Sequence, residues 1–266
     1  GAAGLAGADL DIADAWNITT GSSDVIIAVL DSGVDPHVEF GNRLLKGSNF
    51  VPNVTNKYGD QDVYIQPYGH GTPLAGIAAA QGNNAEGTAG VCWNCKILPV
   101  RVFDENLQGS FGNIASGLYY AAEWQDLPGP KVISLSFQSD GTTSKTLENA
   151  IKNAWYFNVL VVSARGNYSD TYSGPNTLSY PAAYPEVLSV GAMNPCGGRK
   201  EKSSVCENIP FWGSRYESSD NGGVQPSGAL DFLAPGVQLY STKKGGGYID
   251  FANGTSAAVP HVSGVV

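Results

Sequence analysis

The sequence predicts an α/β fold, a doubly wound, mostly parallel sheet with helices on both faces. Three observations predict it. Runs such as Val25-Ile-Ile-Ala-Val-Leu30 and Val159-Leu-Val-Val162 are apolar throughout and strand-sized, as strands buried on both faces must be. From Gly87 onward such runs alternate with segments of helical spacing, the βαβ rhythm of a parallel sheet. The first run also ends on an acid, Asp31, and in open α/β sheets working groups gather at the carboxyl ends of strands.

The elements follow in order. After a small-residue stretch (Gly1 to Gly7), Leu10, Ile12, Ala13 and Trp16 have helical spacing that Gly21-Ser-Ser closes. The Val25 run is the first strand, ending in the turn Asp31-Ser-Gly33. Residues 41–69 are rich in Gly, Asn and Asp and read as loops and irregular strands. Tyr68-Gly-His-Gly-Thr72 then opens a small-residue helix to Ala80, placing His70 at a helix mouth. Lys96–Phe103 reads as a strand, Ile114–Trp124 as a helix, Val132–Ser136 as a strand, Leu147–Phe157 as a helix, Val159–Ser163 as a strand and Val187–Met193 as another. The last element is a helix after Gly254-Thr-Ser256, whose first turn is expected to accommodate Pro260.

With 266 residues, 42% of them hydrophobic, the chain can bury one large core, and no compositional break divides it, so residues 1–266 read as one domain. The formal charge of −9 and pI near 4.7 argue against a nucleic-acid partner. The apolar runs are far shorter than a membrane span, and a monomer is expected. The chain starts at Gly1 with no Met and no apolar leader, which reads as a processed or cut product. Four cysteines leave three pairings open, of which the local pair Cys92 with Cys95 and the pair Cys196 with Cys206 are the reading adopted. Disulfides imply an oxidising compartment and hence secretion. No phosphate-cradling Gly-rich fingerprint is present.

Asp31, His70 and Ser256 form the set that nucleophilic hydrolysis needs. A serine hydroxyl is a weak nucleophile at neutral pH, so a histidine must take its proton and an acid must hold the imidazole in the right tautomer. Ser256 at a helix start also has free backbone N–H groups nearby for a developing oxyanion. Of the three histidines, His37 shares the turn after Asp31. His261 lies five residues past Ser256, about 140° around a helix, and so faces away. His70 is the candidate base.

These blocks, Val29-Leu-Asp-Ser-Gly-Val34, His70-Gly-Thr72 with Ala75-Gly76, and Gly254-Thr-Ser-Ala-Ala-Val-Pro-His-Val-Ser-Gly264, resemble those of the subtilisin-like serine proteases, the subtilase family, in the same chain order. The resemblance runs from about Leu10 to the C-terminus. It implies a subtilisin-like three-layer fold and a secreted serine endopeptidase with Asp31, His70 and Ser256 as triad. By the same resemblance Asn167, in Ser163-Ala-Arg-Gly-Asn167, donates its amide to the oxyanion. Substrates would be proteins or peptides, with an inhibitory propeptide as a possible partner. A non-catalytic peptide-binding module and a peptide ligase using the same acyl-enzyme are the alternatives.

The resemblance also implies a cleft in which an extended peptide meets Gly109, Phe111, Ser136, Phe137, Gln138, Ala164, Arg165, Gly166 and Ser179. Phe137 and Gln138 stand where relatives often have small residues, and Arg165 replaces a small one. Pro73-Leu74 departs from the commoner His-Val. Structural calcium is expected at Glu39, Asn84, Glu86 and Thr88, with Asp60 and Asp62 as a second candidate. Many relatives carry Met directly after the nucleophilic serine, where this chain has Ala257. The chain stops ten residues after Ser256, where relatives continue, so a catalytic domain truncated at its C-terminus is expected. Sequons at Asn17, Asn53, Asn167 and Asn253 are not read as glycan sites, because the last two lie inside these motifs.

Overall fold

The computed structural model describes residues 9–124, 131–170, 174–204, 206, 208–216 and 230–266. The small-residue stretch from Gly1 to Gly7 lies outside them. Seven strands form one sheet: β1 (Ile26–Asp31), β2 (Ser48–Asn49), β3 (Lys96–Arg101), β4 (Lys131–Leu135), β5 (Leu160–Ala164), β6 (Val187–Met193) and β7 (Phe232–Pro235). Their spatial order is β7-β6-β5-β4-β1-β3-β2, and every neighbouring pair is parallel. From β1 the chain crosses to the edge strand β2 and comes back to insert β3 between the two, then places β4 on the other side of β1. The winding therefore reverses at β1, and the crevice at the carboxyl ends of β1 and β4 is the topological switch point.

The helices are α1 (Ile12–Ala15), α2 (Gly71–Ala79), α3 (Phe111–Ala122), α4 (Lys145–Tyr156) and α5 (Thr255–Val265). Strand alternation decides which face each serves. Ile26, Ala28 and Leu30 of β1 join Leu98, Val100, Ile133 and Leu135 in the core beneath α3 and α4. Ile27 and Val29 point the other way, into a core with Ala75 and Ala78 of α2, while Val132 and Val162 meet Ala258, Val259 and Val262 of α5. Both faces are covered, and that explains the uninterrupted apolar run of β1. Ser110 and Ser144 cap α3 and α4, accepting from the N–H groups of Asn113 and Leu147.

Most sequence-read boundaries agree within a residue or two. Two differ with a reason. Helix α3 starts a turn before Ile114 because Ser110 supplies its cap, which puts Phe111 in its first position. Pro260 is the sixth residue of α5, in its second turn and not its first. The cysteines pair as Cys92 with Cys95 and Cys196 with Cys206.

Candidate active site

Asp31 ends β1 wholly buried, so it is no solvated turn carboxylate. Its Oδ1 accepts from the Ser32 N–H at 2.7 Å and from His70 Nδ1 at 2.7 Å. His70 stands just before α2. Helix and turn come this close because Gly71 has no side chain: a Cβ there would lie 2.0 Å from the Gly33 carbonyl oxygen and 3.2 Å from Asp31 Cβ.

A second acid fixes this junction. Asp62, also buried, accepts from the backbone N–H groups of His70 (3.0 Å) and Thr72 (2.9 Å), from Thr72 Oγ1 (2.8 Å) and from Ser32 Oγ (2.8 Å). It caps α2 and ties that helix to the Asp31 turn. Its oxygens meet donors from every side, so the sequence reading of Asp62 as a cation ligand is corrected. The signal that could have found its role is an acid eight residues before a helix mouth rich in unpaired N–H groups.

Burial works against a charged His70, but the Asp31 charge and hydrogen bond, with the Asp62 charge, outweigh it and hold the imidazole pKa above its ordinary 6.5. His261 goes the other way. Burial lowers it to about 4 against the help of its Ala257 carbonyl partner, as suits a neutral structural side chain. His37 spans the Glu39 N–H and the Gly247 carbonyl, holding the chain in place away from the cleft.

Ser256 is the second residue of α5, after Gly254 at φ 124°, a backbone conformation that L side chains rarely adopt. Asn167 follows β5 and the Gly166 turn. Its Oδ1 accepts from Thr255 N (3.0 Å) and Thr255 Oγ1 (3.2 Å), which leaves the Nδ2 hydrogens as its donors. His70, Asn167 and Ser256 line one cleft of about 320 Å³ with Ser136, Phe137, Gln138 and Ala164, as well as Phe103 and Leu107, which the sequence reading missed. Those two come from the loop after β3, whose approach to the cleft only the tertiary fold reveals. Beyond Ser256 a second hollow of about 330 Å³ is walled by Tyr64, Tyr68, Phe211 and Ile249.

Not all expected wall residues face the cleft. Arg165 and Ser179 are wholly buried, because Arg165 lies inside the β5 turn and Ser179 Oγ is engaged by Arg215. Gly166 donates to Thr255 Oγ1 behind Gln138. Phe111 packs against the α3–α4 core, and Gly109 backs onto Phe103.

The expected calcium residues do come together, but they do not fit a cation as arranged. Glu39 is buried, and its carboxylate accepts from Thr88 N (3.1 Å), Asn84 Nδ2 (2.9 Å) and the Tyr248 hydroxyl (2.8 Å). Glu86 reaches the same hydroxyl from outside, at 3.4 Å. Donor hydrogens thus occupy the places where a cation would sit. Among the described residues no group of three His, Cys, Asp or Glu is placed to hold a metal.

Known proteins resemble this chain over most of its length. The family model described as the subtilase family matches residues 22–266. A thermophilic serine proteinase of Bacillus sp. (strain AK1) is 38% identical over 94% of this chain, which spans 53% of that protein. The chain therefore covers about half the length of that curated relative. An intracellular serine protease of Paenibacillus polymyxa is 33% identical over 94% of this chain and 68% of its own length. Among solved structures, sphericase superposes with a TM-score of 0.74 at 29% identity, covering 92% of this chain and 76% of its own.

Proposed function

The chain belongs to the subtilase family, and from that premise we propose that it is a serine endopeptidase acting through an acyl-enzyme on Ser256. The observation that carries the reading is the 2.7 Å bond from His70 Nδ1 to the buried Asp31 carboxylate, at the switch point and in the cleft that Ser256 lines. Asp31 holds the imidazole with Nδ1 protonated, so Nε2 is the free base. The Ser256 hydroxyl adds to the scissile carbonyl as its proton passes to His70. The oxyanion receives hydrogen bonds from Asn167 Nδ2 and the Ser256 backbone N–H. Collapse expels the amine, which takes the proton from His70, and a water activated the same way releases the acid.

The cleft's apolar side, with Phe103, Leu107 and Phe137, suits an extended peptide presenting an apolar side chain. The described residues read as one peptidase-type domain. Two disulfides support passage through an oxidising compartment, and secretion is proposed on that ground. The Paenibacillus relative is named as intracellular, so direct localisation of the full protein is the check. Calcium is not built into the mechanism.

Labelling with a fluorophosphonate tests the reading. Folded protein should form one adduct, on Ser256, and lose peptidase activity in step. A folded protein with no Ser256 adduct would overturn the enzyme reading. Ser256→Ala and His70→Ala should each remove nearly all turnover, and the double variant should be scarcely worse.

A further inference from the structure

We propose that Gln138 is a positioning residue for Asn167, and that an ion pair between the half-buried Asp140 and the buried Arg215 sets Gln138 in turn. This rests on the reading of Asn167 as an oxyanion donor. Gln138 Oε1 accepts from the Asn167 backbone N–H at 2.6 Å, and its Nε2 lies 3.4 Å from the Asn167 carbonyl oxygen. One side-chain amide thus meets both backbone groups of Asn167, as a neighbouring strand would.

The orientation of that amide is not free. Nε2 also donates to Asp140 Oδ1 at 2.8 Å, and turning the amide over would set oxygen against carboxylate and N–H against N–H. Asp140 is itself fixed. Arg215, wholly buried, grips its two oxygens with both terminal nitrogens, the Nη2 to Oδ2 contact being 2.7 Å. Arg215 also donates from Nη1 to Ser179 Oγ and from its backbone N–H to the Gly166 carbonyl, at 2.9 Å. The Gly166–Asn167 turn therefore hangs between Gln138 on one side and Arg215 on the other, and Asp140 ties the two together. With Thr255 holding the Asn167 side-chain oxygen, both the backbone and the carbonyl end of Asn167 are fixed, and Nδ2 has one place to be.

A polar network of this kind beside a cleft has a catalytic consequence. Oxyanion stabilisation depends on where the donor already stands before reaction, and a misplacement near 1 Å can cost about 10²-fold.

The test uses Gln138→Leu, Asp140→Asn and Asn167→Leu, with kcat and KM measured per fluorophosphonate-titrated site, so that only folded enzyme counts. Asp140 lies outside the cleft lining, so its variant separates positioning from substrate contact. Gln138→Leu and Asp140→Asn should each lower kcat by about 10- to 100-fold with KM within about twofold. In the Asn167→Leu background neither should lower kcat further. Unchanged kcat, a change in KM alone, or losses that multiply with that of Asn167→Leu would overturn the proposal. If Asn167→Leu itself keeps full turnover, the oxyanion reading has failed. If it loses turnover while Gln138→Leu does not, only the positioning role has failed.

Discussion

The Ser136 hydroxyl donates to the backbone carbonyl of Ser256 at 2.9 Å, and it does so at the one carbonyl of α5 that Pro260 leaves without a helical partner. In a regular helix the N–H four residues on would take that carbonyl; proline has none. The carboxyl end of β4 thus repairs the first turn of α5 at the proposed nucleophile. Ser136→Ala should cost about 0.5–1.5 kcal/mol of stability. In a Pro260→Ala background, where an N–H is restored, the same change should cost clearly less. A double-mutant cycle by urea unfolding reads this directly, and equal costs in both backgrounds would show the two groups to be independent.

The Glu39 carboxylate predicts a different outcome for metal removal than a calcium cage would. Thr88, Asn84 and Tyr248 already satisfy it, and the Tyr248 phenol is held protonated, its pKa pushed well up first by burial and then by Glu39. Chelator should leave the melting temperature within about a degree, since linkage stabilises only when a ligand binds the native state. Tyr248→Phe should destabilise by about 1.5–3 kcal/mol, the range for hydrogen bonds to a charged group. A large drop in Tm on adding chelator, restored by calcium, would overturn the reading of this loop.

What was legible in the sequence is what local chemistry encodes. Asp31 stands out because a buried strand ends on it, His70 because glycines open a helix beside it, and Ser256 because a Gly-Thr turn delivers it to a helix start. The alternation of apolar runs carried the sheet. What was not legible depends on segments far apart in the chain. Asp62 reads as a candidate cation ligand until α2 is packed above it. Gln138 reads as a pocket wall until Asn167 and, through the neighbouring Asp140, Arg215 converge on it from two distant segments. Arg165 reads as a cleft residue because its neighbours are, yet the turn after β5 sends it inward.

Oxidation should leave this protein largely active. Relatives with methionine after the nucleophilic serine are open to a sulfoxide, larger and more polar, beside the oxyanion site. Here that position is Ala257, which is buried, and the chain's single methionine, Met193, ends β6 beside Pro235. All four cysteines are paired, so no thiolate is offered. Peroxide treatment should spare most peptidase activity, and Ala257→Met should become sensitive. Rapid inactivation of the unaltered protein would place the vulnerable group elsewhere.

The pH dependence follows from the two acids that face His70. Asp31 bonds its ring and Asp62 holds its backbone, and both charges favour the imidazolium, so the folded pKa lies above 6.5 despite burial. Catalysis needs the neutral base. The rising limb of kcat/KM should therefore be centred above pH 6.5, later than an unperturbed histidine would give. Stability has the opposite sign. A histidine whose folded pKa exceeds its unfolded one contributes fully below about 6.5 and loses that contribution as pH rises through the folded pKa. Activity should thus rise across the same window in which the His70 contribution to stability falls. Urea unfolding at intervals across that window, in the parent and in His70→Ala, isolates the stability slope, which should flatten in the variant. Asp62→Asn removes one of the charges and should move the activity limb toward lower pH. A limb at or below 6.5 in the parent, or one that Asp62→Asn leaves in place, would show that these carboxylates do not set the base.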